Sequence, residues 1–187
     1  MKKLAIPVLF AITILFAACD NSANSDADNI NDSITDQNRE TASLDNSAQK
    51  FAEKAAMGSM MEIEAGKIAA EKATNPDVKA LAQKMVDDHS KISDDLKAVA
   101  ASKNMVLPTM LSESQQKDLN DLREKTGNEF DKAFVNMMVD DHKDDVDAFQ
   151  DAADKLDDPD IKNFAINTLP ILQKHLASVQ EIEKRIK

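Results

Sequence analysis

The sequence predicts an all-α protein, an antiparallel four-helix bundle built of two helical hairpins joined by a crossover. Three observations carry this. From Phe51 onward Gly and Pro are rare, and apolar residues recur every three or four positions over four long stretches. Two similar short breaks, Thr74 to Lys79 and Asp157 to Lys162, each place Asn or Asp before Pro, the order that starts a helix. The second half of each break repeats as Pro-Asp-(Val/Ile)-Lys, so the two hairpins resemble one another.

Taken in order, helix A is expected over 46–73, B over 76–102, C over 128–156 and D over 159–186. Short breaks make A and B, and likewise C and D, antiparallel neighbours. Between B and C, residues 103–127 form a long crossover. Within it Ser112-Glu113-Ser114-Gln115 reads as a capping box that opens a short fifth helix to about Lys125. Two hairpins and a crossover is the ferritin-like plan.

The chain begins differently. Lys2 and Lys3 precede an apolar run from Leu4 to Phe16, and Ala17-Ala18-Cys19-Asp20 follows. The run is shorter than the roughly 20 residues that cross a bilayer, so residues 1–18 read as a cleaved signal peptide. Cys19, the only cysteine, sits at the cut and resembles the acceptor of a lipobox, which makes it the expected lipidation site. An intramolecular disulfide is excluded. Residues 19–49 are rich in Asn, Asp, Ser and Thr and read as a disordered polar tether of roughly 30 Å reach. The domain proper is then 50–187. This layout implies an envelope lipoprotein held to the inner or outer membrane by its N-terminal lipid, with the domain in the periplasm or at the cell surface.

Without Lys2 and Lys3, 21 basic residues face 34 acidic ones, a net charge of −13. Such a polyanion is a poor partner for nucleic acid. No glycine-rich phosphate loop and no activated nucleophile stand out, so neither a nucleotide cofactor nor hydrolysis is expected, and the pattern names no protein partner.

The histidines are the informative residues. His89 falls in the apolar stripe Val78, Leu81, Met85, Ile92, Leu96 of helix B. His142 follows Phe130, Phe134 and Met138 in helix C, and His175 follows Phe164, Thr168 and Leu172 in helix D, so all three point inward. Helix A carries Glu62 in the middle of a face of small residues. Residues equally distant from a hairpin turn lie at one height, which puts Glu62 level with His89 and His142 level with His175.

One side chain from each helix forms a first shell suited to a transition metal: zinc, iron, manganese or copper. Copper is raised by Met85 and Met138, one turn from histidines. The run Met-Val-Asp-Asp-His occurs twice, ending at His89 and His142. Asp88, Asp141 and Asp145 are candidate acceptors for the imidazole N–H groups. The competing reading makes the same layer a hydrogen-bonded polar core in a structural or interaction module. A diiron centre is disfavoured, because the positions three residues before the histidines hold Val86, Val139 and Leu172 instead of Glu. The absence of Tyr and Trp argues in the same direction.

Several runs together are similar to the bacterial domain-of-unknown-function family 4142. They are Glu62 with Ala65-Gly66-Lys67-Ile68-Ala69, Ala82 through His89, Phe130-Asp131 leading to His142, and Leu169 through Leu176. The resemblance covers about 51–186. It implies a ferritin-like helical fold in an envelope protein of a group associated with stress, and no particular reaction. Where that family commonly has Tyr this chain has Phe134, so a role for that hydroxyl does not carry over. Pro170, one turn before His175, is expected to kink helix D or open a bulge there.

Overall fold

The computed structural model of the chain describes residues 27–186, with side chains from 46 onward. The expected signal peptide, Cys19 and the first part of the expected tether lie outside the described residues. Those described form five helices and no strand: α1 Ala27–Lys72, α2 Pro76–Ser102, α3 Glu113–Glu124, α4 Gly127–Lys155 and α5 Pro159–Ile186. None is long and apolar enough to cross a membrane.

Four of the five follow the sequence pattern to within a residue or two. Asn75 caps α2, its side chain accepting from the Asp77 N–H at 2.8 Å. Asp158 does the same for α5, accepting from the Asp160 and Ile161 N–H groups, both at 3.0 Å. The Ser112/Gln115 capping box opens α3 as expected. Helix α5 runs through Pro170 without a break. The carbonyl that loses its partner there belongs to Ile166, a residue 47% exposed, where water can replace the missing N–H.

The N-terminal boundary departs from expectation. Helix α1 starts at Ala27, so residues 27–49 are helical where composition points to a disordered tether. Residues 27–45 contain no Gly or Pro. Once the packed part of α1 has formed, each further residue adds a hydrogen bond without a new nucleation cost. Ala48, inside the expected tether, is fully buried, and the second of the chain's two compact units begins at Arg39.

The core has two apolar halves. One collects Met61, Ala65, Ala69, Val78, Leu81, Met85, Phe130, Phe134, Met138, Val179 and Ile182. The other collects Ala52, Ala56, Ile92, Leu96, Phe149, Ile161, Phe164 and Leu172. The first half therefore lies by the α1–α2 turn and the second by the α4–α5 turn. It follows that α1 and α5 run one way and α2 and α4 the other. The crossover must travel the length of the bundle, and it does: Met105 and Leu107 pack on one half, Leu119 and Leu122 in the other.

Helices α1 and α2 approach closely at Gly66, where a Cβ would stand 3.0 Å from the Ala82 carbonyl and 2.8 Å from Val86 Cγ2. Gly66 thus permits a backbone separation that any side chain would widen, just one turn from Glu62.

Asp131 is a structural residue that periodicity does not reveal. It is 2% exposed, and its carboxylate accepts from the Thr74 N–H (3.0 Å), the Thr74 hydroxyl (2.5 Å) and the Asn75 N–H (2.9 Å). It ties the start of α4 to the α1–α2 turn. Removing it leaves two turn N–H groups without their acceptor, so Asp131→Ala should cost about 2–4 kcal/mol in chemical denaturation. A loss below about 1 kcal/mol would show that the turn holds without it.

Candidate metal centre

Between the two apolar halves lies a single polar layer. Glu62, His142 and His175 are fully buried and His89 is 1% exposed. The three rings stand at the corners of a nearly equilateral triangle, with centroid separations of 5.4, 5.4 and 5.3 Å. One ring nitrogen from each lies within 4.8 Å of the others.

Hydrogen bonding assigns the two edges of these rings. His142 Nδ1 lies 3.0 Å from the Met138 carbonyl, which can only accept, so Nδ1 carries the proton. His175 Nε2 lies 2.9 Å from Asp88 Oδ2 and donates to it. Asp88 is itself paired with Lys84. What remains is His142 Nε2 facing His175 Nδ1 across 3.3 Å, two lone pairs pointed at each other. Two acceptors so close repel unless a cation lies between them. A tetrahedral ion with bonds of about 2.0–2.1 Å to nitrogen separates its ligands by about 3.3–3.4 Å, which matches.

His89 completes the triangle. Its Nε2 has no hydrogen-bond partner among the described residues. Its Nδ1 approaches Glu62 Oε2 at 2.8 Å, and Glu62 Oε1 lies 3.0 Å from His142 Nδ1. Neither N–H is aligned on the carboxyl oxygens, which remain without a directed hydrogen bond. Glu62 therefore lies along the Nδ1 edges of His89 and His142, whereas His142 Nε2 faces His175 Nδ1. The expected shell of three histidines and one glutamate resolves into three nitrogens around a point, with Glu62 beside two of the imidazoles.

The two Met-Val-Asp-Asp-His runs have different neighbours. Asp88 reaches His175 because α2 packs against α5. Asp141, its counterpart on α4, instead joins Asp145 and Glu62 in lining a cavity of about 330 Å³ walled by α1, α4 and the start of α3. Neither Asp141 nor Asp145 bonds an imidazole in the way Asp88 does. Met85 and Met138 are fully buried and pack in the apolar half of the core by the α1–α2 turn.

Burial controls the charges in this layer. It pushes His89 and His142 down to about 4, against the opposing pull of Asp145 on His89 and of Glu62 on His142. His175 is lowered by the same cause, moderated by its hydrogen bond to Asp88. Burial also raises Glu62 to about 7, less the attraction of His142 and reinforced by Asp141. Asp141 rises to about 6, and Asp145 well above its usual range, again through burial first and neighbouring carboxyls second. Asp88 differs: burial would raise it, but hydrogen bonds from Lys84 and His175 outweigh that and hold it low. Near neutral pH the layer thus presents three neutral imidazoles, the protonation state a metal requires.

A crystal structure of a DUF305 fragment from Deinococcus radiodurans is similar to this chain with a TM-score of 0.65 at 11% identity, covering 74% of this chain and 96% of that one. The likeness is one of fold. No curated protein matches. The model of the family described as "Domain of unknown function (DUF4142)" matches residues 34–182, so the chain belongs to the DUF4142 family.

Proposed function

We propose that this protein is an envelope lipoprotein whose bundle binds one transition-metal ion through His89, His142 and His175, in metal handling or stress protection. The observation that carries the metal reading is the 3.3 Å approach of His142 Nε2 and His175 Nδ1 while the opposite edge of each ring donates to a carbonyl or carboxylate. Such carboxylate–histidine pairs fix the tautomer and raise the basicity of a ligating nitrogen. Three neutral imidazoles suit zinc, copper or iron, and leave one position of a tetrahedral ion open to water or a small ligand.

Within this arrangement each residue has a separate task. Met138 and Asp88 hold the protons of His142 and His175 away from the ion. Glu62 supplies a compensating negative charge beside His89 and His142. A bound ion would supply Lewis acidity or, for iron or copper, a redox couple.

Elemental analysis of protein purified without a histidine tag tests the reading. About one equivalent of a transition metal is expected, falling below a tenth in His89→Ala and His142→Ala. Sub-stoichiometric metal that those substitutions leave unchanged would return the layer to a hydrogen-bonded polar core.

The lipoprotein half of the proposal rests on Lys2, Lys3, the Leu4–Phe16 run and Ala17-Ala18-Cys19. Cys19→Ala should abolish incorporation of labelled palmitate and move the protein out of the membrane fraction. Persistence of label or of membrane association in that variant would contradict it.

A further inference from the structure

The cavity beside Glu62 has no part in holding the imidazoles. Its wall includes Lys54, Gly58 and Glu62 of α1, Asp118 of α3, and Asp141, Asp144 and Asp145 of α4. Five carboxyl groups thus surround a space of about 330 Å³ against a single ammonium, that of the exposed Lys54. An acidic lining alone would be unremarkable in so acidic a chain. The inner wall sets it apart: Glu62 is fully buried, and neither of its oxygens has a directed hydrogen bond among the described residues. Asp141 Oδ2 is likewise buried without a partner.

The backbone keeps this space open. At Gly58 a Cβ would already touch the Asp145 carboxyl, at 3.5 Å from Oδ1, so a larger side chain there would fill the passage. The start of α3, whose N–H groups would otherwise favour an anion, is closed by its own capping box and held to α1 by Gln115 Nε2 donating to the Met57 carbonyl at 3.3 Å.

We propose that this cavity is the port of the metal centre: a hydrated divalent cation is captured by Asp141 and Asp145 and passed along Glu62 to the three histidines. This rests on the metal reading above and adds the route. Carboxylate oxygens bind a cation that still holds water, and imidazoles replace that water inside. A cleft lined by one sign of charge also raises the association rate of a counter-ion, an effect that salt screens.

Stopped-flow mixing of the full chain with Co²⁺ tests the port, the visible band of nitrogen-ligated cobalt reporting arrival at the histidines. At low ionic strength the Asp141→Asn/Asp145→Asn variant should take up Co²⁺ about tenfold more slowly and lose most of the salt dependence. Lys54→Gln, at an exposed position, should speed uptake and serves even if the double variant folds poorly. Asp87→Asn/Asp95→Asn makes the same two Asp-to-Asn substitutions at exposed positions on α2 and should keep the original rate. Unchanged kinetics in both cavity variants, or equal slowing by the α2 pair, would overturn the port while leaving the metal centre standing. No cobalt band in the unsubstituted protein would overturn both.

Discussion

Chelation of the metal-loaded protein should lower its melting temperature by about 5–10 °C, and His142→Ala should make the protein insensitive to chelator. An ion that binds only the folded state, present at a hundred times its Kd, stabilises by about 2.7 kcal/mol. In a domain of this size each kcal/mol corresponds to about 2–4 °C. His142 is the most telling substitution, since it contributes one of the two opposed lone pairs and is fully buried. Its removal also leaves a cavity, so the metal-free melting temperature will fall as well, and the diagnostic quantity is the difference between loaded and chelated samples. A chelator shift near zero in the unsubstituted protein would favour the hydrogen-bonded core.

Metal affinity should rise up to about tenfold per pH unit from about pH 5 to pH 7 and then level off. Glu62, raised by burial to about 7, holds a proton below that value in the metal-free protein. A divalent ion among three neutral imidazoles favours the ionised carboxyl beside them, so binding below pH 7 expels that proton. Each proton released gives one decade of affinity per pH unit. Above 7 the proton is already gone and the dependence ends. His89 and His142, held down to about 4, contribute further slope only toward the acid end of the range. Glu62→Gln keeps the shape and cannot ionise, so it should flatten the titration between pH 5 and 7. Isothermal titration at several pH values reads both the slope and the proton release. A slope that persists in Glu62→Gln would assign the proton elsewhere.

The division between sequence and tertiary structure can be followed residue by residue. Helix spacing placed His89, His142 and His175 inside, because a buried stripe on an isolated helix shows in its period alone. Equal distance from each turn put Glu62 beside His89 and His142 beside His175, and those pairs meet at 2.8 and 3.3 Å. Caps at Asn75, Ser112 and Asp158 were readable because capping is a contact within a few residues.

Other features depend on which helices become neighbours and how they rotate about their axes. The identical runs ending at His89 and His142 gave Asp88 and Asp141 equal standing, yet of the two only Asp88 bonds the imidazole of α5. Glu62 looked like a fourth ligand at the right height, and the rotation of α1 sets it against the Nδ1 edges of His89 and His142. Asp131 looked like one more acid on an acidic helix until the α1–α2 turn came down on it. By itself the sequence determined the four helices after α1, the caps at Asn75, Ser112 and Asp158, the inward histidines and the height at which they lie. Tertiary structure decided which nitrogens face one another, where Glu62 sits and which side of the layer opens to solvent. Period and capping are properties of one helix, whereas ligand convergence depends on the relative rotation of four.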